Sequence, residues 1–253
     1  MTIDMPSAIQ TDGLRQLWKE AFGDSDAFLD AFFATAFSPE RCRCAAEQGK
    51  VVGALYWFDA THLGNPVAYL YAVATAGASR GRGICHALME DTCRYLQKRG
   101  YAGTILVPGS EALFRFYEKM GYRVCSYIRE FACDATPKAV ALQPVDAKEY
   151  AARRRQLLPA GGVVQEGENL AFLGTQARLY AGEDLLLAAT MQDGMLYAQE
   201  FLGDTALCPG ILHTLGCARG KFRVPGNEKP FAMYRLLEEN GQPAPSYFAL
   251  AFD

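Results

Sequence analysis

Half of the 253 residues are apolar, enough for one large core or two modest ones, and the net charge of −3 at pH 7 argues against a nucleic-acid partner gripped by phosphate neutralisation. The eight cysteines never fall in the paired spacings of a zinc site, and no apolar run approaches a membrane span. Residues 1–10 lack the basic-then-apolar profile of a secretory signal, so the expectation is a cytoplasmic chain with reduced thiols, no metal, no membrane and no nucleic acid.

Two helices are predicted first, over residues 11–22 and 24–37, and in the second Phe28, Phe32, Phe33 and Phe37 make an aromatic stripe of core character. Strands are predicted over residues 42–47 and 51–60, joined by a turn at Gln48, Gly49 and Lys50, and over 67–75 after a loop that ends at Pro66. The third strand, Tyr69-Leu-Tyr-Ala-Val-Ala-Thr75, runs into the basic, glycine-rich turn Arg80-Gly-Arg-Gly-Ile-Cys85. A helix over 81–99 follows, patterned with Ile84, Ala87, Leu88, Tyr95 and Leu96, then a strand over 103–107, a helix over 111–120 and closing strands over 122–133.

Glycines in such a turn let the main chain approach a ligand closely, and the helix supplies unpaired N–H groups and the positive end of its dipole, which suits a diphosphate. The spacing is not that of a dinucleotide fingerprint, because His86 stands where a third glycine belongs, and no Gly-Lys-Ser/Thr run exists for a P-loop. An ordinary strand-turn-helix corner with solvated arginines stays open on the turn chemistry alone. What remains is Arg80-x-x-Gly83-x-small, closed by Cys85, after a Val-Ala-Thr strand end. This pattern resembles the acyl-CoA-binding motif of the GNAT N-acetyltransferase superfamily, which usually has Gly or Ala at the last place. The element order over residues 1–134 is similar to the GNAT core as well.

A second copy is visible. Residues 107–117, VPGSEALFRFY, match 224–234, VPGNEKPFAMY, at six of eleven positions without a gap. Upstream, Gly83-Ile-Cys-His-Ala-Leu88 matches Gly210-Ile-Leu-His-Thr-Leu215, and Leu70-Tyr-Ala72 matches Leu196-Tyr-Ala198. The reading is two tandem α/β (α+β) GNAT-like domains, each a mixed, mainly antiparallel sheet flanked by helices: 1–134 with the cofactor site, and a degenerate 135–253, joined where Thr136, Pro137 and Pro144 interrupt the pattern. In the second copy Leu207, Cys208 and Pro209 replace Arg80, Gly81 and Arg82, and its helix is about two turns shorter. An amphipathic helix with Pro230, Met233, Tyr234 and Leu237, and a last strand over 247–252, are expected by analogy with the first copy. His86 and His213 occupy matching helix faces, which suggests packing rather than chemistry.

The resemblance implies acetyl-CoA as co-substrate and a small-molecule amine or peptide as acceptor. It implies that backbone groups of Val73, Ala74 and Thr75 hold the pantetheine arm and the thioester oxygen, and that Arg80, Gly81, Arg82, Gly83, Ile84 and Cys85 cradle the diphosphate. Ser110 stands at the family's asparagine, and Tyr117 at the tyrosine that protonates the departing thiolate as a general acid. A core tyrosine is the alternative for Tyr117, which lies on the apolar face of its predicted helix. The strand glutamate of many relatives is missing, with Tyr69 and Tyr71 in its region. The base is therefore open among Glu111, Glu20, Asp24, Asp26, an ordered water and the terminal carboxylate of Asp253. A non-catalytic acyl-CoA-binding or sensing protein is the alternative function.

Overall fold

The computed structural model describes residues 1–238 and 242–252, and begins with a short edge strand, β1 (Thr2–Asp4). Helix α1 (Thr11–Phe22) buries Leu14, Leu17 and Trp18 and stops at Gly23, whose φ of 75° only glycine adopts without strain. Helix α2 (Asp26–Thr35) starts two residues later than expected because Ser25 caps it, its Oγ accepting the Phe28 N–H at 3.2 Å. Strands β2 (Cys42–Glu47), β3 (Lys50–His62) and β4 (Asn65–Thr75) form the expected antiparallel meander. Helix α3 (Ile84–Lys98) carries the chain across the sheet to β5 (Gly103–Leu106), which runs parallel to β4. Helix α4 (Glu111–Glu118) and β6 (Arg123–Asp134) complete the first half.

The second half adds β7 (Gln143–Pro144), α5 (Ala147–Leu157), β8 (Val164–Gln165), α6 (Glu168–Gln176) and β9 (Arg178–Ala181). It continues with β10 (Leu186–Gln192), β11 (Met195–Leu202), α7 (Cys208–Thr214), β12 (Arg219–Pro225) and β13 (Lys229–Leu236). The unit β10, β11, α7, β12 repeats the unit β3, β4, α3, β5. Each opens with an antiparallel pair, passes through a 3₁₀ turn into a helix, and returns on a strand parallel to the one before the helix. Helix α7 has 7 residues against 15 in α3, in keeping with the expected shortening of two turns.

The VPG segments then part ways. After Val107-Pro-Gly109 the chain forms α4, but after Val224-Pro-Gly226 it turns back as β13, so the helix expected around residues 230–237 is a strand. In α4 the Leu113 N–H is bonded to the Ser110 cap at 3.4 Å, and the matching residue of the second copy is Pro230, which has no N–H to give. The alternative conformation is rewarded on both sides: β13 inserts between β5 and β6 and pairs antiparallel with each. Among the described residues all strands thus join one 13-stranded, mostly antiparallel sheet in the order β1-β2-β3-β4-β5-β13-β6-β12-β11-β10-β9-β7, with β8 attached to β3.

The strand expected at the end of the chain is also corrected. Residues 247–252 form no ladder among the described residues; Tyr247 makes a single bridge with Gly162. The segment is instead fixed by side chains. Ser126 Oγ donates to the Phe248 carbonyl at 2.8 Å and accepts the Phe248 N–H at 2.9 Å, and Gln165 Nε2 donates to the Leu250 carbonyl at 2.7 Å. Tyr247 also donates its hydroxyl to Glu200 at 3.0 Å, within a buried cluster in which Arg154 grips both oxygens of that carboxylate at 2.7 and 2.9 Å. Tyr150 adds a third donor at 3.2 Å. Such an ion pair tolerates burial because each charge has its hydrogen bonds met inside the fold. Among the described residues no helix is long and apolar enough to cross a membrane.

Candidate active site

Strands β4 and β5 pair only from Val67 with Gly103 to Tyr69 with Ile105. Beyond that point they part, and a cavity of about 630 Å³ opens between Leu70–Val73 on one side and Leu106–Gly109 on the other. The wedge is widened by a bulge in β4. Between the pairs Tyr56 with Tyr71 and Ala54 with Ala74, two residues of β4 stand against one of β3. Those two are Ala72, at a left-handed φ of 48°, and Val73, and both line the cavity with no ladder partner on β3. Ala74 and Thr75 rejoin the ladder opposite Ala54 and Gly53, and the Thr75 hydroxyl is buried without a partner among the described residues.

The glycine-rich turn follows directly. Gly81 and Gly83 hold φ of 75° and 77° with open space around them, so their requirement is conformational rather than steric. Gly83 is the N-cap of α3, and no side chain caps that helix end. Ile84 is buried against β2 and β3 and pins the start of the helix to the sheet, its Cγ2 3.1 Å from where a Cβ on Gly53 would lie. Arg80 and Arg82 are exposed but tethered. Arg80 Nε donates to the Thr75 carbonyl at 3.3 Å, and Arg82 forks onto Glu47 at 2.8 and 3.1 Å. Part of the positive charge expected at this turn is therefore neutralised by Glu47.

Tyr117 of α4 lines the wedge and is buried, with Phe116 and Tyr122 edge-on at ring separations of 5.3 and 5.8 Å. Burial raises its pKa well above the usual tyrosine range, and the neighbouring Cys85 adds to the shift. Its phenol is thus fully protonated at neutral pH. The Cys85 thiol is itself pushed up to about 11 by burial, which leaves it an inert thiol. Ser110 is exposed, does not line the cavity, and spends its hydroxyl on capping α4. The repeat partner of Tyr117, Tyr234, lies on β13 away from the cavity, with its ring laid over Gly103.

Opposite the wedge, Trp18, Phe22, Asp24 and Phe28 from α1, α2 and their connection form the second wall. Of the carboxylates left open by the sequence, Asp24 alone lines the cavity among the described residues, its Oδ2 accepting the Trp18 indole N–H at 2.8 Å. Glu20 accepts the Gly77 N–H at 2.6 Å, Asp26 pairs with Lys19, and Glu111 is exposed on α4. Asp253 lies outside the described residues. A third wall comes from the second half, by residues the sequence did not single out: Leu173 and Gln176 of α6, Thr190 of β10, Gln199 of β11, and Ala251 and Phe252 of the C-terminal segment. For Gln199 the signal was the match of Leu196-Tyr-Ala198 to Leu70-Tyr-Ala72, which sets it opposite Val73 in the alignment.

Residues 5–125 match the profile of a family described as an acetyltransferase (GNAT) domain. The whole fold is similar to a GCN5-related N-acetyltransferase from Kribbella flavida, at 19% identity and a TM-score of 0.72 over 93% of this chain and 72% of that one. It is similar to a GCN5-related N-acetyltransferase from Anabaena variabilis, at 16% identity and a TM-score of 0.72 over 94% and 73% of the two chains. Eis1 from Mycobacterium abscessus matches at 14% identity and a TM-score of 0.68 over 94% and 74%. At these identities the likeness is one of fold. No curated protein matches the chain by sequence.

Proposed function

We propose, from the GNAT acetyltransferase domain matched over residues 5–125, that the chain transfers an acetyl group from acetyl-CoA to a primary amine of a small molecule or peptide by direct attack. The observation that supports this reading most is the parting of β4 from β5 beside the uncapped start of α3, with Tyr117 and Asp24 lining the same cavity. The residues present fit an acyl-CoA. First-turn N–H groups of α3 with the left-handed Gly81 and Gly83 suit the diphosphate, and the bulged main chain at Ala72 and Val73 suits an extended pantetheine arm and its thioester oxygen. Val73, Ala74, Thr75 and the turn from Arg80 to Cys85 are the residues we assign to that role. We read residues 135–253 as a degenerate copy whose work is to close the acceptor side.

In the reaction the acceptor nitrogen attacks the thioester carbon, an N–C bond forms and the C–S bond breaks. Tyr117 gives its proton to the departing thiolate, and Asp24 receives the proton lost by the amine, directly or through water. Tyr117→Phe should lower kcat by roughly 10²–10⁴-fold while leaving acetyl-CoA affinity, measured by calorimetry, within a factor of two or so. A variant that turns over at the wild-type rate would end the general-acid assignment. The second reading, an acyl-CoA-binding protein without turnover, draws on Tyr69 and Tyr71 standing where a strand carboxylate would serve as base. Thiol release from acetyl-CoA across a panel of amines separates the two, since only an enzyme releases thiol in proportion to acceptor.

A further inference from the structure

The bulge of β4 has a twin in the second half. Between the pairs Ala188 with Glu200 and Ala189 with Ala198, Gln199 of β11 has no partner on β10, and the pairing of β11 with β12 ends at Ala198 with Phe222. The repeat sets Gln199 where Val73 stands in the first half, and both line the same cavity. Gln199 also carries an unmet demand: its Oε1 is buried with no hydrogen-bond partner among the described residues. An amide oxygen left unpaired costs stability without return, so a ligand donor that a turn of the Gln199 side chain brings within its reach accounts for it better than packing does.

The rest of the lining says what kind of ligand. Among the described residues that line the cavity there is no Lys, Arg or His, one carboxylate, Asp24, and the aromatic side chains of Tyr69, Tyr71 and Phe252, among others. An acceptor with its own carboxylate or phosphate would bury an anion with no cation to meet it. One with a second N–H donor would satisfy Gln199, and a positive charge would be welcomed by the rings.

We propose that Gln199 is a specificity-determining residue of the acceptor site, selecting amines that carry a second N–H donor and no acidic group, of which diamines are the simplest. This rests on the acyltransferase reading above. The test is kcat/KM for putrescine, n-butylamine and γ-aminobutyrate with acetyl-CoA, on the wild type, Gln199→Leu and Gln199→Glu, with acetyl-CoA affinity of each protein measured by calorimetry to show that the fold and donor site are intact. The wild type should favour putrescine over butylamine by roughly 10–100-fold and use γ-aminobutyrate least. In Gln199→Leu the ratio should fall towards one, and in Gln199→Glu it should rise. A putrescine preference unchanged in both variants, or a wild type that prefers γ-aminobutyrate, overturns the proposal and leaves acyl transfer standing. Acetyl-CoA bound with no thiol released from any amine removes the enzymatic reading and the proposal together.

Discussion

Arg154 and Glu200 sit at 2% and 0% exposure, and their pairing joins α5, β11 and the C-terminal segment at one point. Burial works against the Arg154 charge, but the Glu200 carboxylate overrides it and holds the guanidinium above its ordinary pKa. Arg154→Met removes the cation and strands a buried carboxylate, so it should cost about 3–5 kcal/mol of stability in urea unfolding, where a solvated arginine would cost almost nothing. Arg154 stands in sequence between two other arginines, and a lone residue cannot reveal a partner 46 positions away. The turn before α3 and the position of Tyr117 in the cavity wall were legible for the opposite reason. The glycine positions, the strand end before them and Tyr117 are tied by short-range chain geometry, which spacing reports directly. Asp24 was legible only as one candidate among several, since its place in the cavity depends on how α1 and α2 pack.

At the scale of elements, β13 carries the main departure from expectation. Its segment shares six of eleven residues with the one that forms α4, yet helix and strand are separated by one lost capping donor and by the two neighbours that only a strand could gain. Local pattern could not see those neighbours, because β5 and β6 precede β13 by about a hundred residues. The insertion makes a checkable demand on Gly103. A Cβ there would lie 2.0 Å from the Tyr234 hydroxyl oxygen and 2.2 Å from its Cζ, so Gly103→Ala must push β13 away from β5. The expected loss is about 1–3 kcal/mol, read as a lower thermal midpoint; Gly103→Ala combined with Tyr234→Ala should recover part of it on the β5 side. An unchanged midpoint in Gly103→Ala would mean that β13 does not pack on β5 as described.

The whole molecule concentrates its buried titratable groups among neutral acids. Burial raises the pKa of Tyr56, Tyr117, Tyr122, Tyr150 and Tyr247, and of the Cys42, Cys44, Cys93 and Cys125 thiols. Each group favours its protonated form more in the native state than in the unfolded chain. The stability this contributes is complete below the unfolded pKa and is lost as pH rises through the native one. Thermal midpoints should therefore begin to fall above about pH 8.5, where unfolded thiols ionise, and fall more steeply above about pH 10, where unfolded tyrosines do. A midpoint flat to pH 11 or so would contradict the burial of these side chains.

The tandem plan was visible because matched blocks kept their order, and β10, β11, α7 and β12 do repeat β3, β4, α3 and β5. Which residues of the second half line the cavity could not be read from spacing, since their placement follows from a shared sheet and from a C-terminal segment held by side chains rather than by a ladder. The central claim is that the turn before α3 and the wedge between β4 and β5 hold acetyl-CoA. The most direct measurement is calorimetric titration of acetyl-CoA into the wild type and into Gly83→Val, which forces a β-branched residue to a φ of 77° at the start of α3. The wild type should bind one equivalent with Kd on the order of 1–100 μM, and the variant at least about tenfold more weakly. Absence of binding to the wild type, or equal affinity in the variant, would contradict the account.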